Sequence, residues 1–286
     1  MSFPPNERLR KGMVIHMYIP ETDRDDGGIL KGITCFALDM DGTVYLGEKW
    51  IEGARDFLTA VEQAGKKYVF LTNNSSKNPR AYIDKLGRMG LEIGPERIVT
   101  SGMAAIDYLK KHFPDKKVFL LGNELLREEF AQAGIRLEEE APEVVMVGFD
   151  TSLTYQKLCR VCDLVREGLP YLSTHPDFNC PTETGFIPDA GAIHAFIHAS
   201  AFRYPDVIIG KPNGAIMDYL SQRAGARKEE TAMVGDRLYT DVAAGVNNGY
   251  RGILVLSGEA GIEDIKADGV VPDLIFSSVK EMIPFL

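Results

Sequence analysis

The sequence of 286 residues has few cysteines, a deficit of positive charge and no long apolar run. Four cysteines in a chain of this length argue against a disulfide framework and favour a reducing compartment. Lys and Arg number 32 against 41 Asp and Glu, so the net charge of −9 argues against binding to nucleic-acid phosphates. No apolar run approaches the roughly 18 residues of a membrane span, and the N-terminal stretch lacks a signal-like apolar segment. We therefore expect a cytoplasmic protein without a nucleic-acid partner or membrane association.

Short apolar runs alternate with helical patterns from Gly32 onwards. One helical stretch places Ala54, Phe57, Leu58 and Val61 at the i, i+3, i+4, i+7 spacing of a buried helix face. Strands that alternate with helices of this length are typical of parallel sheets built from βαβ units, so we predict an α/β fold. The predicted strands are 33–38, 67–71, 98–100, 117–121, 144–148, 207–209, 231–234, 252–256 and 273–276.

Polar side chains follow four of these strands. In open α/β sheets, functional groups collect at the carboxyl ends of the strands, so we expect these side chains to converge in one crevice. Carboxylates at such close range must share protons or hold a cation, and a set of oxygen ligands favours Mg²⁺. The four segments are Asp39-Met40-Asp41-Gly42-Thr43, Thr72-Asn73-Asn74-Ser75-Ser76, Gly210-Lys211-Pro212-Asn213 and Gly235-Asp236-Arg237 with the nearby Asp241.

This set of groups fits a phosphoryl group better than a carbonyl, because carboxylates and a hard cation stand beside hydrogen-bond donors and a lysine. Asp39 directly follows its strand and would be held rigidly, so it is the better candidate nucleophile. Asp41 lies beyond the turn, where Gly42 lets the side chain face a leaving oxygen. The residues thus predict an aspartyl-phosphate intermediate, with Asp41 as general acid and then general base.

Four stretches of the chain resemble, in order, the signature motifs of the haloacid dehalogenase (HAD) superfamily: DMDGTVYLG, LTNNSS, GKP and GDRLYTD. A further stretch resembles the NagD-like, or 4-nitrophenylphosphatase-like, branch with its type IIA (C2) cap: THPDFNCPTETGFIPDAGA. The resemblance implies a Rossmann-like doubly wound parallel sheet as the catalytic core, with an inserted α/β cap domain. It covers nearly all of the chain from Gly32 onwards.

The resemblance also implies domain boundaries, since the family's cap is inserted after the third core strand and returns to the core shortly before Lys211. We expect the catalytic core over 32–102 and 206–286 and the cap over 103–205. Residues 1–31 are polar, lie outside the family pattern and are expected to form a flexible N-terminal extension. Relatives sometimes dimerise through the cap, so a homodimer through the cap is one expectation, without an independent signal in the sequence.

The family pattern implies roles for the residues of the four motifs. Asp39 would be the nucleophile and Asp41 the general acid and base. Thr72 and Lys211 would bind the transferring phosphoryl group, with Asn73 beside them as a further substrate-binding residue.

The same pattern implies a Mg²⁺ ion held by Asp39, the backbone carbonyl of Asp41 and Asp236, with Asp241 in or next to the coordination sphere. In this cap class, the loop before Lys211 selects the substrate. We expect His175 and Asp177 of that loop to bind substrate or to lie at the seam between core and cap, and a structural role is equally compatible with the sequence.

The expected function is Mg²⁺-dependent hydrolysis of a small phosphomonoester, such as a sugar, nucleotide or similar metabolite phosphate. The alternative is a HAD-fold protein that binds or senses a phosphorylated metabolite with little hydrolysis, and the presence of both Asp39 and Asp41 disfavours it. A phosphotransferase or mutase would need an acceptor other than water. Dehalogenation is disfavoured because that branch needs neither Asp41 nor Mg²⁺.

Overall fold

A computed structural model describes residues 19–182 and 185–286. Most strands of this described part lie close to the runs that the sequence predicts, and two short hairpins and the strands Arg136–Leu137 and Tyr171–Ser173 are additional. They are β1 (Cys35–Leu38), β2 (Tyr45–Leu46), β3 (Lys49–Trp50), β4 (Lys67–Thr72), β5 (Ile98–Thr100), β6 (Lys117–Leu121), β7 (Arg136–Leu137), β8 (Val144–Val147), β9 (Tyr171–Ser173), β10 (Asn179–Thr182), β11 (Gly185–Pro188), β12 (Val207–Ile208), β13 (Thr231–Gly235), β14 (Arg251–Val255) and β15 (Leu274–Phe276).

The helices of the described part connect these strands. The helix predicted from the apolar spacing forms, with Ala54, Phe57, Leu58 and Val61 all buried, and it is followed by Gly65 at a positive φ of 71°. The α-helices are α1 (Ala54–Gln63), α2 (Pro79–Arg88), α3 (Ser101–His112), α4 (Glu124–Gln132), α5 (Tyr155–Arg166), α6 (Ala190–Ala201), α7 (Gly214–Ala224), α8 (Ala243–Val246) and α9 (Asp264–Asp268).

The core sheet has the strand order β15-β14-β13-β1-β4-β5, and all its pairings are parallel. Strand β1 lies near the centre and is buried along its whole length, with Phe36 and Leu38 in one apolar cluster and Cys35 and Ala37 in the other. Helices therefore cover both faces, as a parallel sheet requires. The α/β prediction is confirmed, and the chain reverses its strand order at β1, where ligands bind in such sheets.

A second parallel sheet has the order β12-β9-β8-β6-β7, and its strands lie between 117 and 208. We interpret this sheet and its helices as the inserted cap. Helix α3 follows the core strand β5 and packs against both α7 and α4, so it joins the two sheets. The last strand of the second sheet reaches Ile208, beyond the predicted cap end at 205.

Residues 22–31 pack against the core, which differs from the flexible extension predicted over 1–31. Thr22 forms a parallel bridge with Ile275 of β15, and the Asp23 carboxylate accepts hydrogen bonds from Ser277. Asp25 accepts from the backbone N–H groups of residues 29 and 30, which helps to bury Leu30 completely. These contacts are long-range or depend on a local turn, so the sequence period does not reveal them. Residues 1–18 of the prediction lie outside the described residues.

In the part of the chain that the structure describes, no helix combines the length and apolar character needed to cross a membrane. All four cysteines are free, as the composition predicts: Cys35, Cys159, Cys162 and Cys180.

Candidate active site

The carboxyl ends of β1, β4 and β13 bring the predicted polar groups together at the centre of the core sheet. Asp39 directly follows β1, Thr72 ends β4 and Asp236 follows β13. Lys211 belongs to the segment that follows the cap sheet, three residues after its last strand, β12. A cavity of about 120 Å³ lies where these segments meet, and the predicted residues that line it are Asp39, Asp41, Thr72, Asn73, Asp177, Lys211 and Asp241.

Lys211 is the central cation of this cavity. Its side chain is almost fully buried, and its Nζ atom lies 2.6 Å from Oδ1 of Asp39 and 2.6 Å from Oδ1 of Asp241. Burial alone would lower the pKa of Lys211, but the Asp241 and Asp39 carboxylates hold it above its ordinary value. The lysine therefore remains charged and holds the carboxylate of Asp39, at the end of β1, close to that of Asp241, which follows β13.

Asp39, Asp236 and Asp241 form an acidic cluster in which one carboxylate oxygen from each residue lies within 4.8 Å of the others. Burial raises the pKa of Asp39 to about 8, with Asp241 and Asp236 adding to the rise and Lys211 opposing it. Burial and Asp241 raise the pKa of Asp236 to about 6. One lysine cannot neutralise three buried carboxylates, so the donor set fits a hard divalent cation. The Asp41 side chain is not part of this described cluster. The family pattern likewise implies only the backbone carbonyl of Asp41 as a metal ligand.

Asp236 is held by close backbone packing as well as by hydrogen bonds. Its Oδ2 accepts from the N–H of Glu259 at 2.8 Å, and its Oδ1 accepts from the hydroxyl of Thr43 at 3.3 Å. Gly42, at a positive φ of 87°, and Gly258 both approach this carboxylate so closely that a Cβ atom on either would collide with it. The two glycines are therefore needed for the acidic cluster to form.

Asn73 joins the core to the segment that carries Lys211. Its Oδ1 accepts from the Lys211 N–H at 2.8 Å, and its Nδ2 donates to the Lys211 carbonyl at 3.0 Å. The same Nδ2 donates to the Asp177 carboxylate at 3.2 Å. Both side-chain amide atoms thus have protein partners, although Asn73 also lines the cavity. These contacts indicate that Asn73 positions Lys211, and its predicted contact with substrate stays a prediction.

His175 does not line the cavity, which favours the structural role that the sequence left open beside substrate binding. It is fully buried, with Nε2 2.8 Å from Oδ1 of Asp189 and Nδ1 2.9 Å from the Thr174 hydroxyl. The Asp189 carboxylate holds the His175 ring in this buried position, and sequence spacing does not identify Asp189 as its partner. Asp177, two residues further on, does line the cavity, as its prediction requires. One side-chain ligand atom from each of His175, Asp177 and Asp189 lies within 4.8 Å of the others, as in a metal site. Because both ring nitrogens of His175 already have protein partners, we interpret the three residues as an ion-pair network.

We expect replacement of Asp189 to destabilise the fold through this network. Burial alone would lower the pKa of His175, but Asp189 raises it above its ordinary value. Asp189→Asn keeps a side-chain cap for α6 and removes the charge, so it should lower the free energy of unfolding by about 3 kcal/mol or more.

Because the folded pKa of His175 is raised, the stabilisation is complete below about pH 6.5 and is lost as pH rises through the folded pKa. Urea unfolding across this range tests the expectation. A pH-independent difference would contradict the ion-pair interpretation.

Several cavity residues had no role in the sequence analysis. Lys77 precedes α2, while Tyr82 and Lys85 stand one turn apart within it, on the side that faces the turn around Asp41. The only sequence signal for Lys77, Tyr82 and Lys85 as cavity residues is their position after the Thr72 motif, because no local pattern shows that α2 packs against Tyr45. Arg237, inside the fourth motif, forms an ion pair with Glu259 at 2.9 Å.

A second cavity of about 690 Å³ adjoins the first, and both are lined by Asp177, Asn179, Arg237 and Thr240. Its walls are richer in exposed aromatic side chains, among them Phe178, Phe186 and Tyr239. Asp39 and Asp41 line the first cavity and not the second.

Comparisons with known proteins agree with the motifs and the fold. Residues 36–136 match a family model described as haloacid dehalogenase-like hydrolase, and residues 208–282 match a HAD-hydrolase-like model. The chain is 35% identical over 255 residues to the acid sugar phosphatase of Staphylococcus aureus strain MRSA252, an alignment that covers 89% of this chain and 98% of that protein.

Solved structures give the same relationship. The 4-nitrophenylphosphatase of Thermotoga maritima is 44% identical, with a TM-score of 0.86 over 90% of this chain and 98% of that one. NagD of E. coli K-12 is 31% identical, with a TM-score of 0.81 over 87% of this chain and 98% of that one. The predicted resemblance is confirmed, because relatives above 30% identity align over nearly their whole length. The chain therefore belongs to the haloacid dehalogenase-like hydrolases, as a phosphatase of their NagD-like and 4-nitrophenylphosphatase-like branch.

Proposed function

We propose that this phosphatase is Mg²⁺-dependent and hydrolyses a small phosphomonoester through an aspartyl-phosphate on Asp39. The observation that carries the proposal is the position of the Asp39 carboxylate, which lines the cavity at the end of β1 beside Lys211 and the acidic cluster. The names of the relatives, acid sugar phosphatase and 4-nitrophenylphosphatase, support a phosphomonoester as substrate. The small-metabolite substrate, the cytoplasmic location and the homodimer through the cap stay predictions.

In the first step, a carboxylate oxygen of Asp39 attacks phosphorus in line, and the bond from phosphorus to the leaving oxygen breaks. The leaving oxygen takes a proton from Asp41. Burial raises the pKa of Asp41 above its ordinary value, against the opposing effect of Lys85, which suits a general acid. Lys211 and Thr72, which line the cavity together with Asp39, contribute positive charge and a hydroxyl to the phosphoryl oxygens.

In the second step, Asp41 takes a proton from water as the water oxygen attacks phosphorus. The bond between phosphorus and Asp39 breaks, and phosphate leaves with the Asp39 carboxylate restored. Asp39, Asp236 and Asp241 would hold the Mg²⁺ ion, which supplies charge neutralisation for the phosphoryl oxygens. The cap, which places Asp177 and Asn179 against the cavity, would limit the access of water during the first step.

Phosphate release from 4-nitrophenyl phosphate is expected to require Mg²⁺ and to stop in EDTA. The half-saturating Mg²⁺ concentration should fall as pH rises from about 6 to about 8. The reason is that the metal-free pKa values are raised to about 8 for Asp39 and about 6 for Asp236, and protons compete with the metal for these carboxylates.

Mg²⁺ titrations at several pH values, followed by activity and by thermal shift, test this dependence. The control is EDTA-treated protein to which Mg²⁺ is restored. EDTA-resistant release would contradict the metal requirement, and a half-saturating concentration that rises with pH would contradict the assignment of these carboxylates as its ligands.

A further inference from the structure

Two of the four cations that line the catalytic cavity have no carboxylate partner in the described ranges. The four are Lys77, Lys85, Lys211 and Arg237. Lys211 pairs with Asp39 and Asp241, and Arg237 pairs with Glu259. Lys77 and Lys85 form no such ion pair within residues 19–182 and 185–286. Positive charge without a direct ion-pair partner therefore faces the cavity at Lys77 and Lys85.

Aromatic rings hold these two lysines at the cavity wall. The Nζ atom of Lys85 lies 3.8 Å from the ring centroid of the fully buried Tyr45, and Nζ of Lys77 lies 5.9 Å from the ring centroid of Tyr82. Lys85 is half-buried, and burial lowers its pKa despite the opposing effect of Asp41. An ammonium that is partly withdrawn from water without an ion-pair partner is costly, so an incoming anion would find a favourable partner there.

The lysines also lie on the side of the cavity where the leaving group belongs. In an in-line displacement, the leaving oxygen lies opposite the nucleophile Asp39 and next to the general acid Asp41. Asp41 forms a backbone bridge with Tyr45, whose ring centroid lies 3.8 Å from Nζ of Lys85, and Lys77 lines the same cavity. The part of the substrate that departs would therefore be flanked by these two ammonium groups.

We propose that Lys85, assisted by Lys77, binds a second anionic group on the leaving group of the substrate. The preferred substrate is then a phosphomonoester that also carries a carboxylate or a second phosphate, rather than a neutral sugar or aryl phosphate. The inference rests on the proposed function, because it places the leaving group beside Asp41. The adjoining aromatic-walled cavity would suit an apolar leaving group, but Asp41 does not line it.

Matched pairs of esters test the preference. The carboxylate pair is 3-phosphoglycerate against glycerol 3-phosphate, and the phosphate pair is fructose 1,6-bisphosphate against fructose 6-phosphate. With Mg²⁺ present, we expect kcat/KM to be about tenfold or more higher for the anionic member of at least one pair, as one charge-assisted contact provides. The pair that shows the preference identifies the second group as carboxylate or phosphate.

Variants of Lys85 assign the preference to this side chain. Lys85→Met removes the ammonium and keeps an apolar stem against Tyr45, so the preference for the anionic ester should fall about tenfold, mainly through KM. Lys85→Arg should retain most of it. The matched control is Lys110→Met on α3, which makes the same change in net charge at an exposed position outside the cavity and should leave the preference unchanged. Thermal unfolding of each variant verifies that it folds.

Three outcomes would overturn the inference while the proposed function stands. One is equal kcat/KM within both pairs. Another is an equal loss for both members in Lys85→Met together with a shifted pH profile, which would mean that Lys85 acts by tuning Asp41. The third is a lower KM for phenyl phosphate than for the anionic esters that is unchanged in Lys85→Met, which would place the leaving group in the aromatic-walled cavity, away from Lys85. Hydrolysis of none of these esters with Mg²⁺ present would overturn the proposed function and the inference with it.

Discussion

Replacement of Asp39 by asparagine is expected to lower kcat for phosphate release by at least about 10³-fold, because it removes the attacking carboxylate oxygen. Asparagine has nearly the same size and can still accept a hydrogen bond from Lys211, which lies 2.6 Å from the native carboxylate. The loss should therefore appear in the chemical step while the fold is retained. Steady-state rates with 4-nitrophenyl phosphate and Mg²⁺ measure it.

The matched control is the same substitution at Asp56, an exposed aspartate in the first turn of α1. Asp56→Asn makes the same change in net charge and should leave kcat unchanged. Thermal unfolding should show that both variants are folded. A value of kcat near that of the wild type in Asp39→Asn would remove Asp39 from the nucleophile role.

Lys211→Met is expected to lower both activity and stability. The lysine is buried between Asp39 and Asp241, so its removal leaves these two carboxylates near Asp236 without the cation that contacts them both. Breaking a buried ion pair costs about 3–5 kcal/mol of the free energy of unfolding, and loss of a phosphoryl-binding cation lowers kcat by about 10²–10³-fold. Urea unfolding in EDTA measures the first effect, and phosphate release with Mg²⁺ measures the second.

The pH dependence of this destabilisation distinguishes charge repulsion from lost packing. The pKa of Asp39 is raised to about 8 in the folded protein, so its ionised form opposes folding increasingly as pH rises from its ordinary pKa towards 8. Without Lys211 that opposition should grow, and the loss of stability should therefore be smaller at low pH. Lys280→Met, at an exposed ion pair with Glu52, is the control and should change little. A loss that is the same at all pH values would mean that packing alone is responsible.

The sequence predicts most of the fold because local and global signals agree. The spacing of Ala54, Phe57, Leu58 and Val61 marks the buried face of α1 without reference to the rest of the chain. The centre of the core sheet follows for a similar reason, since β1, β4 and β13 are short apolar runs that end in polar residues. The polar groups of a parallel sheet meet at one edge, so the convergence of Asp39, Thr72 and Asp236 was predictable as well.

Other features depend on partners that are distant along the chain. His175 is buried because Asp189, beyond a hairpin, lies 2.8 Å from its ring, and no period in the sequence links the two. Lys85 reaches the cavity because α2 packs over Tyr45, the first residue of β2. Asp23 holds residues 22–31 on the core through Ser277, near the other end of the chain. Such contacts need the assembled tertiary structure, and one of them, the packing of α2 against Tyr45, places Lys85 at the cavity.

The most direct test of the central claim is to trap the phosphoryl group on the enzyme during turnover. Protein turning over 4-nitrophenyl phosphate with Mg²⁺ would be quenched in acid, digested and examined by peptide mass spectrometry. Our account predicts a phosphoryl group on the peptide that contains Asp39 and none in Asp39→Asn. A phosphoryl group on another residue, or phosphate release by Asp39→Asn at the wild-type rate, would contradict it.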